Sequence, residues 1–152
     1  MSQLDVSQLD FARLSPGDFA RLVKETPKTE LTEAMSGELR GRVLDEIFTR
    51  MTEQFLPEKA GSKRAVVHWR ITGRPDGDQD EYELVIADAT CTVNTPPQHE
   101  PRVTITLDAV EFLRLVSGNA SSTTMFFTRK LTLNGDLGLG SGLISMFDIP
   151  KP

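Results

Sequence analysis

The feature that most constrains the fold is a series of alternating runs between residues 65 and 107. Ala65, Val67, Trp69 and Ile71 alternate with Val66, His68, Arg70 and Thr72, so an extended segment here has one wholly apolar face. After a polar loop from Gly73 to Glu81, Tyr82, Leu84 and Ile86 begin a second strand, and Ala87-Asp88-Ala89 reads as a turn. Cys91 and Val93 mark a third strand. Asn94 to Pro101 carries three prolines, which cannot donate to a sheet ladder, so it reads as a loop. Val103, Ile105 and Leu107 alternate with Thr104 and Thr106 in a fourth strand, and Leu131 and Leu133 alternate with Lys130, Thr132 and Asn134 in a fifth. Strands with one apolar face need cover on that side, and early hairpin-like links favour antiparallel pairing. The expected fold class is α+β: a five-stranded, largely antiparallel sheet covered by helices.

Helical periodicity supplies the cover. From Glu38 to Leu56, Leu44, Phe48, Met51 and Phe55 share one face, Val43 and Ile47 widen it, and Pro57 stops the helix. Asp108 is an N-cap with Glu111 placed to complete a capping box; Phe112, Leu115 and Val116 then share a face, and Gly118 ends that helix. A second helical piece carries Met125, Phe126 and Phe127. Gly135-Asp136 turns the fifth strand into a final helix bearing Leu137, Leu139, Leu143, Ile144, Met146 and Phe147.

Residues 1–37 read as an N-terminal extension of short helices, ahead of one domain over 38–152. Ser15-Pro16-Gly17-Asp18 is a helix start, followed by an apolar stripe of Phe19, Leu22 and Val23, with Pro27 just beyond. Leu31, Ala34 and Met35 suggest another short helix. The tetrad FARL occurs at 11–14 and 19–22, which reads as coincidence or as two similar core-facing turns, and not as a repeat architecture.

Composition narrows the function classes. A net charge of −5 argues against nucleic acid and against strong adhesion to anionic membranes. The single cysteine, Cys91, allows no intrachain disulfide framework. The start, MSQLDVSQLD, has neither a basic segment nor an apolar run, so no secretory leader is expected, and no stretch approaches the roughly 20 apolar residues of a membrane span. The end, IPKP, is no peroxisomal address, and the cytoplasm is the expected compartment.

Motifs for chemistry fail one by one. Gly138, Gly140 and Gly142 follow a strand, but a phosphate loop needs a following Lys-Ser/Thr and a dinucleotide fold needs an acid about 20 residues on; neither is present. Asp76, Asp78 and Asp80 have the spacing of calcium ligands, but the sixth position is Glu81 and the twelfth Ala87, where the template needs Gly and Glu. His68 and His99 lack further ligands at metal spacing. No cofactor or metal is expected, and no catalytic residues are assigned.

The order EFLRLVSGNA, MFFTRKLTLNGDLGLGSGLISMF closely resembles the sterol carrier protein 2 domain family, over roughly Leu39 to Pro150, and most closely its short, free-standing, actinobacterial-type bacterial members. One departure is Arg129, where the family usually has a Gly just before the strand. Read by residues alone, the large apolar side chains of the last third form a solid core. The resemblance implies instead a tunnel between sheet and helices that holds a fatty acid, acyl-CoA or sterol, with Phe112, Leu115, Val116, Met125, Phe126, Leu131, Leu133, Leu139, Leu143, Met146 and Phe147 as lining. A non-catalytic lipid carrier is then the expectation, with no stable membrane insertion and a homodimer left open. The alternatives are a small enzyme or accessory protein acting on a lipid-like or polycyclic substrate in the same pocket, needing a titratable pair there from Tyr82 or His68, and an interaction module using the N-terminal helices.

Overall fold

The computed structural model describes residues 15–37 and 39–149, the Ser141 side chain excepted. The first FARL tetrad, the expected helix start at Glu38 and the expected boundary at Pro150 lie outside the described residues. Strands β1 (Ala65–Thr72), β2 (Asp80–Ala87), β3 (Thr90–Asn94), β4 (Val103–Asp108) and β5 (Leu131–Gly135) form one sheet in the order β3-β2-β1-β4-β5. β1–β2 and β2–β3 are antiparallel, as their hairpin connections imply, and β4–β5, linked through two helices, is antiparallel too. β1–β4 is parallel, because the chain leaves the β3 edge, crosses through 95–101 and returns on the far side of β1.

Register sorts the two faces. Trp69 lies opposite Tyr82 on β2 and Ile105 on β4, and Ile105 lies opposite Leu133 on β5, so these four make one row across the sheet. The neighbouring row runs Asn94, Glu83, His68, Thr104, Asn134 on the other face. Successive side chains on a strand point to opposite faces, which is why one register makes one apolar and one polar surface.

The apolar surface is covered by helices α1 (Pro16–Glu25), α2 (Lys28–Ala34), α3 (Leu39–Gln54), α4 (Pro57–Ala60), α5 (Ala109–Val116), α6 (Ser122–Phe127) and α7 (Leu137–Gly142). Val43, Leu44, Ile47, Phe48 and Met51 of α3 share one buried cluster with Val67, Trp69 and Ile71. Phe19 and Val23 of α1 and Leu31 and Met35 of α2 belong to that same cluster. Ser15 caps α1, its hydroxyl accepting from the Asp18 N–H at 3.1 Å. Pro57 ends α3 and also opens α4, since proline at the first helical position lacks only an N–H that would be unpaired anyway.

Two local expectations change. Asp108 caps α5 through the Glu111 N–H at 3.0 Å, but the Glu111 carboxylate accepts from Arg114 at 3.0 Å, so only half of the capping box forms. The final helix is also shorter than its apolar stripe: α7 gives way to a 3-10 turn at Leu143–Met146, and Phe147 is extended, bridging to Phe55. Each interior glycine costs a helix roughly 0.8–1 kcal/mol relative to Ala, so Gly138, Gly140 and Gly142 leave α7 little intrinsic stability.

Candidate functional site

The apolar face is built on a pile of aromatic rings. Phe48 stacks on Tyr82 at 4.1 Å between centroids and on Phe112 at 5.2 Å, while Trp69 meets Phe112 edge-on at 5.4 Å. α3 and α5 are thereby clamped to β1 and β2 at the middle of the sheet. Trp69 is wholly buried, and its indole N–H has no hydrogen-bond partner among the described residues. A buried donor without an acceptor costs about 1–3 kcal/mol. Tyr82 donates its hydroxyl to Asp45 Oδ1 at 2.6 Å, and burial, reinforced by that carboxylate, raises the phenol pKa. Tyr82 therefore stays protonated and serves as a strut between sheet and α3.

Of the expected lining residues, Phe112, Leu115, Val116, Met125, Leu131, Leu143, Met146 and Phe147 are all buried in one cluster, and Leu133 and Leu139 are half-buried against it. Phe126 is different, with 38% of its surface exposed. The C-terminal part of this set is stitched to the end of α3: the Leu56 N–H donates to Met146 O at 2.7 Å, and the Asp148 N–H to Gln54 O at 2.8 Å. α7 seats directly on the strands. A Cβ at Gly140 would lie 2.9 Å from a Leu133 methyl and 3.2 Å from Val103, so the missing side chain is what admits the close approach. The N-terminus of α7 is already taken by Asp136, which accepts from the Leu139 N–H at 3.0 Å; this glycine-rich segment is a helix laid on a sheet and no phosphate cradle. A small void of about 10 Å³ lies where α1 meets α3 and α5, lined by Phe19, Met51 and Val116 among others, and one of about 20 Å³ where α1 and α2 meet α3 and α5, lined by Leu31, Val43 and Leu113 among others.

The polar face holds a cluster that the sequence did not reveal. Glu83 is wholly buried there, under the 95–101 loop. One carboxylate oxygen takes bonds from Asn94 Nδ2 and His99 Nδ1, each at 2.9 Å. The other takes His68 Nε2 at 2.9 Å and the backbone N–H groups of Gln98 at 3.1 Å and His99 at 2.8 Å. Burial alone would raise its pKa, but these donors outweigh it and hold the carboxyl at about 2. An ionised carboxylate only accepts, so His68 Nε2 and His99 Nδ1 are the nitrogens that carry hydrogen. The cluster pins the loop to the sheet. It also places His68 on the face opposite the aromatic pile, so a pair formed by His68 in an apolar pocket is excluded. The contributing residues stand at 68, 83, 94, 98 and 99, and no local periodicity connects them.

Other candidate groups are already engaged. Asp80 accepts from Arg40 at 2.6 Å and Asp76 from Arg74 at 2.6 Å, so these carboxylates of the loop serve arginines. Arg40, itself buried, also donates to the carbonyls of Ile71 and Thr72, tying α3 to the end of β1. Both arginines border an open polar cleft of about 450 Å³ together with Asp76 and Asp80. Cys91 is buried, which pushes its thiol up to about 12. Among the described residues no group of His, Cys, Asp and Glu is placed to hold a metal, and no helix is long and apolar enough to cross a membrane.

Known structures share this architecture. The chain resembles the sec-alkylsulfatase Pisa1 from Pseudomonas sp. at 16% identity and a TM-score of 0.60, over 71% of this chain but only 17% of that enzyme. It resembles apo sterol carrier protein 2 from Yarrowia lipolytica at 15% identity and a TM-score of 0.55, over 74% of this chain and 94% of that one. For palmitated SCP2L2 from Aedes aegypti the values are 17% identity and a TM-score of 0.54, over 70% and 95% of the two chains. At these identities the likeness speaks for the fold alone. No curated protein matches the chain significantly. The sequence profile of the SCP-2 sterol transfer family, however, matches residues 44–148, from the middle of α3 to just past the Phe55–Phe147 bridge. The chain belongs to the SCP-2 sterol transfer family.

Proposed function

We propose that this protein carries a long-chain apolar ligand, a fatty acyl chain or a sterol-like molecule, between the sheet and its helices, and that it transfers this ligand without chemically altering it. The observation that carries the reading is the family match over 44–148, which spans the sheet and the helices from α3 to α7. The geometry supports it. Over β4 and β5 the cover is a six-residue helix with three glycines followed by a 3-10 turn, the part of the shell that parts most readily. Phe112, Leu115, Val116, Met125, Leu131, Leu133, Leu139, Leu143, Met146 and Phe147 would face the ligand there, with Phe126 at the rim. Each methylene removed from water contributes about 0.8 kcal/mol, so a long acyl chain gains on the order of 10 kcal/mol before ordering costs. The relative with palmitate in its name accords with such a ligand. Tyr82 and Asp45 are bonded to each other as a strut, which favours binding over catalysis. In this reading the division into residues 1–37 and 38–152 separates a packing extension from the binding domain.

Native mass spectrometry of freshly purified protein, followed by solvent extraction, tests the reading. A reproducible adduct of fatty-acid or sterol mass that is lost on denaturation is expected. A mass that stays unshifted after incubation with fatty acids and sterols would mean that the apolar face is plain core.

A further inference from the structure

We propose that the tip formed by Phe126, Phe127, Arg129 and Lys130 docks the protein on anionic lipid surfaces. The α6 helix buries only Met125; Phe126 is 38% exposed and Phe127 77% exposed, their rings edge to face at 5.7 Å. The helix ends in a tight reversal in which the Lys130 N–H donates to Met125 O at 2.9 Å and the Arg129 N–H to Phe126 O at 3.2 Å. Arg129 sits in the left-handed region, with φ of 63°, at a position that glycine fills more easily. The reversal sets two exposed cations beside two exposed rings, and neither cation forms an ion pair with a described residue. Aromatic rings settle at the headgroup level of a bilayer, and nearby cations are drawn to anionic headgroups.

The rest of the molecule sharpens this choice of partner. The chain carries a net charge of −5, so anionic headgroups repel most of its surface and the cationic tip fixes the orientation of approach. Two phenyl rings can bury a few hundred Å² at most, well below the roughly 800 Å² per partner of a stable protein interface. Insertion of a small tip into a lipid surface needs no matching shape. This inference goes beyond the carrier reading and stands on surface residues alone, so the cargo experiment can fail without touching it, and the reverse.

The test is co-sedimentation of the full chain with phosphatidylcholine vesicles, with and without phosphatidylglycerol, at low and high salt. Binding is expected only with phosphatidylglycerol and is expected to fall steeply with salt. A cation near an anionic surface is worth about a fivefold change in partition. The Arg129→Gly/Lys130→Gln double variant should therefore weaken binding by on the order of twentyfold. Phe127→Ser should weaken it on vesicles of either salt condition, and a cooperative melting transition no lower than the parent's checks that each variant folds. Equal binding to neutral vesicles, no binding to anionic ones, a double variant that binds like the parent, or a Phe127-dependent dimer in sedimentation velocity would each overturn the proposal.

Discussion

The two faces of the sheet are held by different physics. On the helix side, Phe48, Phe112 and Trp69 adhere through ring contacts and burial, which set no single geometry and leave one indole N–H without a partner among the described residues. On the other side, one carboxylate collects five directed hydrogen bonds and leaves its loop no alternative position. Apolar contact tolerates rearrangement at modest cost, whereas a buried ionised group tolerates none. The face proposed to admit a ligand is thus the one whose cohesion is non-directional, while the polar face is the one fixed by directed bonds.

The contrast can be broken from either side. Phe112→Ala removes a ring packed on both Phe48 and Trp69 and should cost about 4 kcal/mol in urea unfolding if the pile is rigidly packed. A loss below about 2 kcal/mol would mean that the neighbouring rings close up, a softer face than described. Glu83→Gln keeps the shape but turns an amide toward donors, and should cost about 2 kcal/mol. This substitution also removes a pH dependence. The carboxyl is held at about 2 against an ordinary 4.5, so its stabilisation is complete above pH 4.5 and fades as the pH falls toward 2. Urea midpoints across that range should drop for the parent and much less for Glu83→Gln. The smallest effect is a gain: Arg129→Gly relieves a left-handed arginine and should stabilise by about 1 kcal/mol, read as a raised melting temperature. An unchanged or lowered melting point would show that the arginine side chain makes a contact outweighing its backbone strain.

Much of this was legible in the chain. Alternation located all five strands, because a half-buried sheet imposes its period directly on the sequence. Ser15 and Asp108 announced their helices, since a side-chain acceptor just ahead of a helix satisfies an N–H group of its first turn. The parallel β1–β4 pair was not legible, because strand order depends on where a proline-rich loop lands. The Glu83 cluster was invisible for the same reason: its donors come from β1, β3 and the loop, and meet Glu83 of β2 only once the strands are in register. Phe126 was expected inside with Met125. A six-residue helix has too few turns to define a face, and its seating on β5 decides which rings remain outside.

The ring pile has an optical consequence. The chain contains one tyrosine and one tryptophan, and the pairing of β1 with β2 sets them directly opposite each other. Excitation absorbed by Tyr82 will pass to Trp69 while those strands stay paired and will cease to do so when they part. The protein thus carries a built-in molecular ruler at the centre of its sheet, able to report whether the strands separate together with the helical layer or after it.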